Sequence, residues 1–153
     1  MFKQLTEHVY FGNWEAPREL AGKVRSVINV AHSFSRRKGR NKYWADLESV
    51  PWEVFYVRLA KKDRQDCDQK YFAAFAYSVR IAESLGKLPL LCHCQMGGHR
   101  GPTSAIAAAF ILGGCKAGSL EPIHARMIAL QPGLLRGHNY YHSMMRLCRE
   151  NSQ

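Results

Sequence analysis

The chain has 153 residues, 46% of them hydrophobic and 22% charged, with 22 Lys and Arg against 12 Asp and Glu for a formal charge of +10. Such apolar content offsets chain entropy and excludes an intrinsically disordered protein, and a chain of this length buries about 68–70% of its unfolded surface, which suits one domain spanning residues 1–153. The longest apolar run, Ala105–Leu112, stops at Gly113 and Gly114, well short of the roughly 20 residues a membrane-spanning helix requires.

The opening stretch carries Glu7 and His8 where a signal peptide would be apolar, so a cytoplasmic location is expected. Cys67, Cys92, Cys94, Cys115 and Cys148 are odd in number and sparse, which favours free thiols over a disulfide scaffold. The positive excess favours anionic partners without naming one.

In chain order, His8–Phe11 is a predicted strand, Ala16–Ala21 a short helix with Pro17 in its first turn and Gly22 closing it, and Val24–Val30 and Trp52–Leu59 two further strands. From Asp68 to Leu85, Phe72, Phe75, Ala76, Val79 and Ala82 recur at helical spacing, with Asp66 or Asp68 as cap and Gly86 as stop. Leu88–His93 is the next strand. A helix is expected from Pro102 to Leu112, apolar on all sides and therefore buried, another from a Ser119 cap to Leu130, and a last one from His138 or Asn139 that turns Tyr141, Met144, Met145 and Cys148 inward. Strands alternating with helices predict an α/β domain: a central, mostly parallel sheet with helices on both faces.

Chemistry concentrates in LLCHCQMGGHRGPTSA, where a strand ends at Cys94, a loop with Gly97 and Gly98 follows, and a helix opens. Amides of Gln95, Met96, Gly97, Gly98 and His99 can turn inward as a nest, and the helix N-terminus adds partial positive charge, which makes a cradle for a tetrahedral oxyanion. A thiol at the start of that cradle is favoured as thiolate, and Arg100 brings a planar fork that grips two phosphoryl oxygens. A metal site on Cys92, Cys94 and His99 fits poorly, because residues two apart on a strand make a cramped pair and a structural zinc wants four ligands. No metal and no cofactor are expected.

His93-Cys94-Gln95-Met96-Gly97-Gly98-His99-Arg100 resembles the His-Cys-x-x-Gly-x-x-Arg signature of the cysteine-dependent protein phosphatases, most of all their compact dual-specificity branch. His8-Val-Tyr-Phe-Gly-Asn and Val27-Ile-Asn-Val-Ala are similar to that family's first two strands, and Tyr71-Phe to the helix before its signature. The resemblance implies a two-step reaction in which Cys94 attacks phosphorus, Arg100 binds the equatorial oxygens, His93 orients Cys94, and an Asp protonates the leaving oxygen and then activates water. For that Asp, Asp63 lies nearest the end of a strand at a spacing similar to the family's acid loop, while Asp66 and Asp68 are the alternatives, better suited to capping the next helix. Cys67 reads as a surface thiol, or else as a disulfide partner shielding Cys94. The family usually carries Ser or Thr after the Arg, where its hydroxyl assists departure of the thiolate. Gly101 stands there in this chain, so breakdown of a phosphocysteine is expected to be slow unless Thr103 or Ser104 substitutes.

Arg36, Arg37, Lys38, Arg40 and Lys42 leave the carboxyl end of the Val24–Val30 strand, the side on which open α/β sheets bind ligands. They form either a solvated loop or a substrate rim, with Phe34, Tyr43 and Trp44 interleaved to stack a base or an aromatic ester. The expected activity is hydrolysis of a phosphomonoester on a phosphorylated protein. RNA 5′ ends are a second substrate class for the same chemistry, and a phosphate-binding module without turnover is the non-enzymatic alternative.

Overall fold

The computed structural model describes residues 1–32, 53–134, 136 and 138–153. Among these lie strands β1 (Phe2–Thr6), β2 (Val9–Gly12), β3 (Ser26–Asn29), β4 (Phe55–Arg58) and β5 (Leu90–His93). The helices are α1 (Ala16–Glu19), α2 (Gln69–Ser84), α3 (Arg100–Leu112), α4 (Leu120–Leu130) and α5 (Asn139–Glu150). The strands form one sheet in the order β1-β2-β5-β3-β4, parallel except for the antiparallel β1–β2 edge. This is the mostly parallel α/β architecture expected.

Every residue of β5 is buried, as befits a central strand covered on both faces. Alternation sends Leu90 and Cys92, with Leu5, Val9, Phe11 and Ile28, into the main core beneath α2, α3, α4 and α5. Leu91 and Val27 point the other way, against Ala16 and Leu20 at α1. The two faces are therefore covered unequally. The apolar content of α3 has the expected cause: it packs against β2, β5, α2, α4 and α5, and residues 100–111 are all buried.

Several boundaries differ from expectation. β1 was not predicted, because it is an edge strand with one fully buried residue, Leu5, and so lacks a clear alternation. The β2 strand begins at Val9, with His8 in the preceding turn. α3 begins at Arg100 instead of Pro102, which a first turn allows, since amides there have no intrahelical acceptor to lose. Ser119 precedes α4 without capping it, its Oγ donating instead to Lys116 O at 2.7 Å. Asp68 does cap α2, accepting from Tyr71 N at 2.8 Å.

All five cysteines are free and buried. Cys67 is thus not the surface thiol expected: it is 1% exposed in the main core, its amide donates to Ser143 Oγ, and burial pushes the thiol up to about 11. A thiol held protonated in this way is a poor disulfide partner for Cys94. Among the described residues no helix is long and apolar enough to cross a membrane.

Candidate active site

Because β2, β5 and β3 run parallel, their carboxyl ends meet at one edge, and the loop from Cys94 to His99 leaves β5 there. The end of β2 is its floor. Cys94 N donates to Gly12 O at 3.3 Å and Trp14 N donates to Gln95 O at 3.1 Å, fastening the loop at two points. Gly97 has φ +78°, and a Cβ there would stand 3.0 Å from Asn13 N and 3.1 Å from Gly12 C, so both the dihedral and the close approach require glycine. That turn aims an amide back at the start of the loop: Gly97 N donates to Cys94 Sγ at 3.2 Å. Met96 projects outward at 74% exposure, whereas Cys94 is 2% exposed.

His93 lies buried behind the loop. Its Nδ1 meets Cys94 O at 3.2 Å, and since a carbonyl only accepts, Nδ1 carries the proton. Burial pushes the imidazole down to about 4, the bond to Cys94 O opposing only in part. Below about pH 6.5 the unfolded chain takes up a proton at this residue that the folded chain refuses until about 4, so stability falls as pH drops through that window. Relative to His93→Asn, the wild type should lose about 3 kcal/mol of unfolding free energy between pH 7 and pH 4, read by denaturant titration. An unchanged difference across that range would show that His93 is not buried neutral.

Arg100 opens α3, and its guanidinium is anchored on the segment after β4: Nε meets Asp63 Oδ1 at 2.8 Å and Nη1 donates to Lys61 O at 2.8 Å. Asp63 thus stands at the loop, a third exposed. The two alternatives are engaged elsewhere, Asp68 as the cap of α2 and Asp66 through Oδ1, which accepts from Asn139 Nδ2 at 3.1 Å.

What holds Asp63 there was not apparent in the sequence. Tyr140 N donates to Asp63 O at 3.0 Å, while Tyr140 OH pairs with Ser104 Oγ at 2.6 Å and Tyr71 OH at 3.3 Å. Tyr71 OH in turn donates to Leu59 O at 2.7 Å. A buried chain of hydroxyls therefore ties the segment bearing Asp63 to α2, α3 and α5. Such tyrosines read in sequence only as apolar helix positions.

Ser104 is committed to Tyr140 and so is not free to replace the missing hydroxyl. Thr103 is fully buried, and its Oγ1 has no hydrogen-bond partner among the described residues. At Gly101 a Cβ would stand 3.1 Å from Gly12 O and 3.4 Å from both Cys92 O and Cys94 N, main-chain atoms that cannot turn aside. Gly101→Ser should therefore cost about 1–3 kcal/mol in a denaturant titration. A variant as stable as the wild type would show that the strand ends yield.

Arg36, Arg37, Lys38 and Arg40, the expected rim, lie outside the described residues, as does Trp52 of the predicted strand. Among the described residues no three His, Cys, Asp or Glu side chains form a metal-binding group.

No protein-family model matches the chain, and no curated protein matches it. Among solved structures it is similar to Tk-PTP in its active form, with a TM-score of 0.70, 15% identity, and 98% of this chain and 97% of that one covered. Human DUSP28 superimposes with a TM-score of 0.69 at 12% identity, covering 97% of this chain and 93% of that one. PTPMT1 in complex with PI(5)P gives 0.67 at 15%, covering 97% and 95%. The fold is that of the tyrosine and dual-specificity phosphatases. At such identities the likeness to these phosphatases is one of fold, and the site is argued from this chain's own residues.

Proposed function

We propose that this chain is a phosphomonoesterase that works through a cysteinyl-phosphate and needs no metal, of the protein tyrosine or dual-specificity type. The observation that carries the reading is the loop itself: an inward amide on Cys94 Sγ at one end, and at the other the Arg100 guanidinium beside the Asp63 carboxylate. Placing Arg100, which ends the Cys94 loop, beside Asp63 supports their reading as oxyanion clamp and proton donor for a Cys94 nucleophile.

In the first step Cys94 Sγ bonds to phosphorus as the phosphorus–oxygen bond to the leaving group breaks. Asp63 passes its proton to the departing oxygen. The loop amides and Arg100 hold the three equatorial oxygens, where charge accumulates. In the second step water attacks phosphorus while the Asp63 carboxylate takes its proton, and the sulfur–phosphorus bond breaks to return the thiolate and free phosphate. Phosphorylated protein is the substrate class proposed first. The RNA reading depends on the basic run, and nothing among the described residues favours it.

Rapid mixing with excess aryl phosphate tests the proposal. A burst of aryl product near one equivalent per enzyme, then a slower vanadate-sensitive steady rate, is expected, because Gly101 offers no hydroxyl to assist the second step. Absence of any turnover, with phosphate still bound, would identify a binding module. Steady rates on phosphotyrosine, phosphothreonine, inositol phosphate and RNA 5′ ends then rank the substrates.

A further inference from the structure

The first turn of α5 reaches the Asp63 segment at three points, and two of the three contacts are made. Tyr140 N donates to Asp63 O and Asn139 Nδ2 donates to Asp66 Oδ1. The third is open: His138 Nδ1 stands 3.9 Å from Asp63 Oδ2. His138 occupies the N-cap of α5 yet makes no side-chain cap bond, and its Nδ1 is buried without a hydrogen-bond partner among the described residues. A cap position favours Asn, Asp, Ser or Thr, so the imidazole is poorly suited to the structural task of its place. Its ring lies 4.9 Å from the ring of His99, the last residue of the Cys94 loop.

We infer that His138 is a positioning residue that holds the Asp63 carboxyl over the site once Arg100 has turned to the phosphoryl group. The inference rests on the phosphatase reading and adds to it a residue whose role no signature position predicts.

Arg100 Nε forms an ion pair with Asp63 Oδ1 at 2.8 Å, although neither atom makes a hydrogen bond among the described residues. A phosphoryl oxygen that takes the Nε edge of the fork brings a second anion against that carboxylate oxygen, and their repulsion drives Asp63 off the guanidinium. Asp63 would then lose its ion pair with Arg100 and be free to swing away from the leaving oxygen it has to protonate. His138 prevents this by closing about 1 Å to hydrogen-bond distance, so that Nδ1–H donates to Oδ2. The division of labour is then clean: Oδ2 is held, and Oδ1, released by Arg100, carries the proton to the leaving group. His99 packs against the imidazole, its ring centroid 4.9 Å away and its plane tilted by 40°.

The test compares His138→Phe, which keeps a ring against His99 but has no donor, with His138→Gln, which keeps an N–H. On phenyl phosphate, whose leaving group needs a proton, His138→Phe should lower kcat roughly 10- to 100-fold with KM unchanged. On an aryl phosphate with a strongly electron-withdrawn leaving group it should lose less than about threefold, and His138→Gln should recover most of the loss on phenyl phosphate. In an Asp63→Asn background, His138→Phe should have no further effect. Equal losses on both substrates, failure of the Gln variant at unchanged thermal midpoint, or additivity with Asp63→Asn would each overturn the inference. A wild type lacking Cys94-dependent turnover on either substrate would instead sink the phosphatase reading beneath it, so the two failures are separable.

Discussion

Cys94→Ser should reduce turnover of any phosphomonoester by at least about 10⁴-fold while phosphate binding survives within a few-fold. The expectation comes from what surrounds Sγ. Gly97 N donates to it at 3.2 Å, and an amide donor offers no base to a serine hydroxyl. His93 is too weak a base to serve, because burial pushes its imidazole down to about 4. The cradle itself is main chain, held by Gly12 and Trp14, and is unaffected by the exchange of sulfur for oxygen. Initial rates on an aryl phosphate, paired with calorimetric titration of inorganic phosphate, separate the two properties. Activity within tenfold of the wild type would remove the covalent mechanism. Arg100→Lys should be nearly as damaging, since a point charge cannot span Asp63 Oδ1 and Lys61 O together, nor two phosphoryl oxygens.

Asp63→Asn should lower kcat by roughly 10²–10⁴-fold on phenyl phosphate, the usual worth of a general acid. The same change breaks the ion pair with Arg100 and frees the guanidinium for substrate, so KM should fall or hold while kcat drops. With a leaving group already stable as an anion, most of the loss should vanish. Asp66→Asn serves as the control: its carboxylate meets Asn139, and the substitution should leave the leaving-group dependence as in the wild type. A silent Asp63→Asn beside a damaging Asp66→Asn would transfer the role of acid to Asp66.

Much of the scaffold was legible because it depends on local patterning. The buried run that becomes β5, the helical spacing of Phe72, Phe75 and Val79 in α2, and the inward stripe of α5 are periodicities that survive folding unchanged. The loop was legible for a related reason. Gly97 adopts φ +78° where few other residues could, so composition alone marks the turn that brings an amide to Cys94 Sγ. β1 escaped because an edge strand needs one buried face and little else. The burial of Cys67 is not legible between the polar Asp66 and Asp68, because it comes from α5 packing over it through Ser143.

The sequence by itself determined the α/β pattern, the order of the elements after β1 and the six-residue path from Cys94 to Arg100, since each is set by nearest neighbours along the chain. Only the tertiary structure decided which aspartate meets Arg100, where Gly101 has no room for a side chain, and that His138 stands beside Asp63. The physical reason is range. Backbone dihedrals and apolar periodicity are local, but a carboxylate finds its guanidinium, or a tyrosine hydroxyl its partner, only after parallel strands have brought distant segments to one edge.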